Sequence, residues 1–196
     1  MIKSNSKLFF VLALSMAVMV AISNFLVQFP FNFFGMHEIL TYGAFSYPIT
    51  FLITDLSNRS FGKKVARKIV YLGFIVGVSL TLFLSTNFSD LISIRIAIGS
   101  GSAFIIAQLI DVQVFDKLRD KIWFVAPFVS SFIGSLIDTI IFFFIAFYNT
   151  DVSWISLAFG DFSIKILMSL IMLIPFRMLL NKIKDITTGD QRVTSI

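Results

Sequence analysis

Cysteine is absent from this chain, histidine occurs once, and charged side chains make up only 14% of it. Without cysteine there can be no disulfide and no thiolate metal site, and the redox compartment stays open. A lone His37 offers no metal-ligating cluster, and no nucleotide-binding loop, ATP-binding motif or recognisable serine nucleophile is present. These absences argue against an enzyme, a resident cofactor and a bound metal. So little charge, with 57% hydrophobic residues and a mean hydropathy of +0.92, excludes an ordinary soluble domain of this length.

What is present is long apolar sequence. Six stretches run over residues 8–28, 42–58, 69–86, 92–115, 122–148 and 153–176. A helix crossing a bilayer needs about 20 mostly apolar residues, because the hydrocarbon is roughly 30 Å thick and each residue rises about 1.5 Å. Five stretches meet that length, and the second is shorter and interrupted by Pro48. The composition therefore predicts an all-α membrane protein, a bundle of six transmembrane helices. Residues 1–186 form its single domain and 187–196 a polar, disordered tail. Residues 8–28 could mimic a signal peptide but read as a retained first helix, since five stretches follow.

The basic residues set the orientation. Fourteen of the sixteen Lys and Arg lie before the first stretch, in the second and fourth connections, and after the sixth. The other three connections hold none. Short basic loops stay on the cytoplasmic side, so both termini are predicted to be cytoplasmic. The same loops account for the net charge of +5, which removes the reason to invoke nucleic acid. The external segment Phe29 to Gly35 is too apolar for a free loop and is expected in the interface or folded back into the bundle.

Six ionisable residues remain within or near the apolar stretches: Asp55, Arg95, Asp111, Asp138, Asp161 and Lys165. Each needs a partner, a cavity or a task, because charge in hydrocarbon costs several kcal/mol. Asp138 and Lys165 lie deepest. Asp161 precedes Lys165 by four residues, so the two can neutralise one another, or Lys165 can face a cavity. Asp55 and Asp111 sit near inner helix ends, where Arg59, Lys117 or Arg119 could pair with them; Asp55 could instead cap a helix starting near Leu56. Arg95 can snorkel to the outer surface.

Two polar stripes have matching spacings. Phe104, Gln108, Asp111 and Phe115 form one helical face, and Ser131, Ser135, Asp138 and Phe142 another. The likeness suits either an inverted repeat or chance similarity among apolar helices. Gly73-x-x-x-Gly77 allows close helix contact, either within the chain or in a homodimer.

The chain resembles the queuosine precursor transporter family, also called the vitamin uptake transporter family. The resemblance rests on Ser23-Asn-x-Leu-Val-Gln28-x-Pro30, Gly35-x-His37, Tyr42-Gly-Ala-Phe-Ser-Tyr-Pro48, Thr54-Asp-Leu56, Arg59-x-Phe-Gly62 and Ala66-Arg-Lys68. It continues through Gly99 to Ala103, Gln108-x-Ile-Asp-Val112, Val114-Phe115, Ala126-Pro127, Asp138-Thr139, the run Phe142 to Phe147, Asp161 and Lys165. Tyr42 stands where a close branch carries Trp, and Ala107 rather than Gly precedes Gln108.

The resemblance implies import of 7-cyano-7-deazaguanine, and of its aminomethyl relative, across the bacterial inner membrane for queuosine synthesis in tRNA modification. A secondary carrier, coupled to protons through a titrating Asp, is one route. A substrate-binding subunit of an energy-coupling vitamin transporter is another, and a non-transporting scaffold a third. For such a ligand Asp138 suits the amine edge, with Lys165, Gln108 and Asn24 as donors to its carbonyl. Asp111 and Asp161 are alternative acceptors, Phe45, Tyr47, Phe104 and Phe142 possible stacking groups, and Asp55 and Ser135 further polar candidates. The expected partners are a small purine-like substrate and membrane lipid.

Overall fold

In hydrocarbon no water is available to bond the backbone, so each spanning segment satisfies its own N–H and C=O groups as a helix. The computed structural model describes residues 2–27, 29, 31–32, 40–84 and 91–193. They form α1 (Ile2–Leu26), α2 (Gly43–Ser46), α3 (Pro48–Phe61), α4 (Lys63–Leu84), α5 (Leu91–Leu118), α6 (Val125–Phe147) and α7 (Trp154–Val193), with no strand among the described residues. Among the described residues, four helical segments are long and apolar enough to cross a membrane: Ser6–Leu26, Ile94–Leu118, Val125–Phe147 and Trp154–Leu180. Large apolar side chains face outward along them, among them Phe10, Ile98, Ile155, Phe159 and Ile174. That surface suits lipid and not water.

The second apolar stretch becomes α2 and α3. Tyr47 between them keeps helical angles, and its N–H bonds the Gly43 carbonyl at 3.0 Å. Pro48 contributes no N–H, so the ladder breaks there and resumes. Residues 43–61 together rise about 28 Å. Because α3 runs unbroken from Pro48 to Phe61, Asp55 lies in mid-helix and caps nothing. Gly62, at φ 80°, ends α3 and turns the chain directly into α4. Only glycine takes that angle without strain. α7 continues as helix through 187–193, where the polar composition predicts a disordered tail. Extending an existing helix costs little compared with starting one.

α5 and α6 make the most extensive helix pair and α1 with α4 the next. Gly73 and Gly77 face α1: a Cβ on Gly77 would stand 2.7 Å from Val20 Cβ and 3.1 Å from the Ala17 carbonyl oxygen. The glycine pair thus packs within the chain. Gly77→Val is expected to cost about 1–3 kcal/mol by overpacking this contact, read as a lower melting midpoint in detergent.

Arg95 does more than snorkel. Its Nε donates to the Ile145 carbonyl at 2.9 Å and Nη2 to the Tyr148 carbonyl at 2.7 Å, which caps the C-terminal end of α6 with positive charge. Gln28, Pro30 and 33–39 of the external segment lie outside the described residues. Its described part pairs back on itself. The Phe31 N–H bonds the Leu40 carbonyl, the Tyr42 N–H bonds the Phe29 carbonyl, and the Phe31 ring rests against Tyr42 and Phe45.

Candidate functional site

Helical spacing puts Asp161 and Lys165 on one face of α7, and α6 brings Asp138 and Thr139 against that face. Lys165 Nζ lies 2.8 Å from Asp138 Oδ2 and 2.5 Å from Asp161 Oδ2. It also donates to Thr139 Oγ1 at 3.3 Å, and Thr139 donates to Asp161 Oδ2 at 2.8 Å. The ammonium stands 5.6 Å from the centre of the Tyr47 ring. Asp138 and Lys165 are 3% and 4% exposed. Lys165 is thus ion-paired with both acids.

Two carboxylates share one ammonium, so the cluster favours hydrogen-bond donors or a cation over an anion. One acceptor is left over: Asp138 Oδ1 is buried with no hydrogen-bond partner among the described residues. A buried, unpaired carboxylate oxygen is costly and rare in native proteins.

A cavity of about 210 Å³ opens beside it. Its wall combines Asp138, Asp161 and Lys165 with the aromatic faces of Tyr47, Phe142, Phe143 and Phe147 and the hydroxyls of Thr41 and Ser100. Gly43 and Ala44 of α2 close one side. The break at Pro48 is what lets α2 present its backbone there.

The sequence candidates divide between this cavity and other places. Tyr47, Asp138, Phe142, Asp161 and Lys165 line it. Asn24 stands behind the wall, accepting a hydrogen bond from Ser100 at 3.3 Å. Gln108 is fully buried between helices, accepting from Thr54 at 2.5 Å and donating to Thr50 at 2.8 Å. It ties α5 to α3. Phe104 packs between Tyr47 and Phe74, and Phe45 against Phe31. Thr41, Ser100, Phe143 and Phe147 line the cavity but carried no polar or periodic signal of their own.

Asp55, Asp111 and Ser135 gather nearer the basic end of the bundle. Ser130 and Ser131 of α6 donate to Asp55 at 3.2 and 3.4 Å. Of the basic neighbours expected for these acids, Lys117 is exposed, and Arg59 and Arg119 are engaged elsewhere. Arg59 donates to the Arg119 carbonyl, and Arg119 to Asp116 at 3.4 Å and to the Asn58 carbonyl at 3.1 Å. A second cavity, of about 10 Å³, is lined by Asp55, Ser131, Ser135 and Ser169 among apolar side chains.

Comparison with known proteins agrees with this architecture. The family model described as "Putative vitamin uptake transporter" matches residues 41–180, which hold all of the larger cavity's lining except Val27 and Leu40. The chain is 34% identical over 203 aligned residues to the queuosine precursor transporter of Escherichia coli (strain K12), covering 91% of each. It is 36% identical over 187 residues to the "Probable queuosine precursor transporter" of Haemophilus influenzae, covering 80% of this chain and 79% of that one. A Bacillus subtilis protein of the same printed name is 31% identical over 157 residues, covering 68% of each. No solved structure matches. Helices apolar enough to span a membrane, a cavity lined by buried charged and aromatic side chains and these relatives lead to one conclusion: the chain belongs to the queuosine precursor transporter family, a family of membrane transporters and not of enzymes.

Proposed function

We propose that this chain imports 7-cyano-7-deazaguanine, and its aminomethyl relative, across the cell inner membrane as a secondary carrier. The observation that carries the reading is Asp138, which lines a cavity with aromatic side chains and whose Oδ1 has no hydrogen-bond partner among the described residues. The deazaguanine edge offers a ring N–H and an exocyclic amine, which a carboxylate accepts as a pair. Tyr47 and Phe142 supply flat faces for the ring. The ligand carbonyl needs a donor. Lys165 already spends its three N–H bonds on Asp138, Asp161 and Thr139, so the hydroxyls of Thr41 and Tyr47 are the better candidates. The excess acid repels phosphate, which disfavours nucleotides, and suits the ammonium of the aminomethyl compound.

In this reading the second and third crossings are residues 43–61 and α4, and both termini face the cytoplasm. The placing of fourteen basic residues on one side supports that orientation.

The test is accumulation of labelled 7-cyano-7-deazaguanine in cells that cannot make it and that lack an energy-coupling ATPase partner. The expected result is uptake, with queuosine appearing in tRNA, only when this gene is expressed. Accumulation no greater than in empty-vector cells would defeat the proposal.

A further inference from the structure

Asp55 and Asp111 are not needed to bind a nucleobase, and their surroundings differ from those of the cavity above. Asp55 is 3% and Asp111 0% exposed, and their carboxyl groups lie within hydrogen-bonding reach of one another. Asp55 is supplied with donors by Ser130 and Ser131, whereas neither oxygen of Asp111 has a hydrogen-bond partner among the described residues. As carboxylates the two face each other as acceptors only, and the nearby Ser130 hydroxyl is already donated to Asp55. Two like charges side by side in hydrocarbon repel strongly. A single proton resolves both problems. Shared between them, it lets one carboxyl donate to the other, and the serine hydroxyls stabilise the charge that remains.

A second observation points the same way. Ser135 is 1% exposed, its Oγ has no partner among the described residues, and it lines the 10 Å³ cavity beside Asp55. A space of that size admits about one water. An ordered water there would join Ser135 to Asp55 and give the proton a path.

Other charges facing this region are accounted for. On α4, Lys63 lies 4.0 Å from Asp116, and Arg67 donates to Gln113. On α3 and α5, Arg59 and Arg119 bond backbone carbonyls, Arg119 also bonds Asp116, and Lys117 is exposed. On α7, Lys165 holds Asp138 and Asp161, and Arg177 lies over the Trp123 ring. α6 adds only hydroxyls besides Asp138, and α1 and α2 have no titratable side chain between residues 8 and 26 or 43 and 46. The pair has no cation of its own among the described residues.

The two sites share helices. α6 and α7 line both, and Ser135 and Ser169 lie about one turn from Asp138 and Lys165. Tyr47, at the start of α3, lines the larger cavity, and Asp55 farther along α3 lines the smaller. The two sites therefore share α3, α6 and α7.

We propose that Asp55 and Asp111 hold one exchangeable proton between them, at a site separate from the larger cavity, and that this proton is the coupling ion. The coupling part rests on the import reading above; the site does not.

Infrared spectra of the purified full-length protein test the site without substrate. Wild type should show a buried protonated carboxyl band at neutral pH that shifts in D2O. Asp55→Asn and Asp111→Asn should each shift or abolish it, because either removes one partner of the pair, and Asp138→Asn should leave it in place. Absence of the band in wild type, or a band unchanged in both Asp55→Asn and Asp111→Asn that elute as folded protein, overturns the site. Coupling is read in proteoliposomes supplied with 7-cyano-7-deazaguanine. An imposed pH gradient should drive accumulation in wild type and not in Asp111→Asn. Accumulation driven by a sodium gradient and indifferent to pH overturns the proton as coupling ion. A band that behaves as stated, with no precursor uptake by wild type, upholds the site and defeats the import reading.

Discussion

Lys165→Met is expected to destabilise the protein by about 3–5 kcal/mol, the usual result of leaving a buried charge without its partner. The methionine fills similar space, so the loss is electrostatic. Asp138 and Asp161 would then face each other with only the Thr139 hydroxyl, which already donates to Asp161 at 2.8 Å. The measurement is the thermal unfolding midpoint in detergent. Adding Asp161→Asn to Lys165→Met should recover part of the loss, because one carboxylate is removed. Asp161→Asn alone should be mild, since Lys165 keeps Asp138 at 2.8 Å. If Lys165→Met melts with wild type, the ion cluster does not hold α6 to α7.

Asp138→Asn should act on transport and spare the fold. Lys165 retains Asp161 at 2.5 Å and Thr139 at 3.3 Å, so no buried charge is stranded. The substrate loses a charged acceptor and meets an amide N–H₂ that opposes its own donors. Hydrogen bonds to charged groups contribute about 1.5–3 kcal/mol, so affinity should fall roughly ten- to a hundredfold. The readout is uptake of 7-cyano-7-deazaguanine at matched membrane abundance. Uptake equal to wild type would remove Asp138 from the proposed site.

Much of this was readable before any coordinates. Intramembrane charge pointed to Asp138, Asp161 and Lys165, and the structure joins all three on one cavity wall. The 3- and 4-residue spacings grouped Phe104, Gln108, Asp111 and Phe115, and all four are buried together on α5. Spacing could not say what that face meets. Gln108 looks like a ligand donor in sequence, yet Thr50 and Thr54 of α3 occupy it. Asp55 and Asp111 looked like interfacial acids with basic neighbours. Their helices are angled so that the serines of α6 reach Asp55 first, while the arginines turn to carbonyls. Ser100 and Phe147 fall within motifs of the family resemblance, but only their position in the fold shows that they, with Thr41, line the cavity.

Composition and the sidedness of Lys and Arg were enough to assign the membrane class and predict an orientation, because transfer of polar groups into lipid is penalised segment by segment. Whether a glycine pair met α1 or another chain, and which acid met which cation, was decided only when the helices packed. Those contacts join residues tens of positions apart, and a linear periodicity says which face of a helix is buried but not what lies across from it.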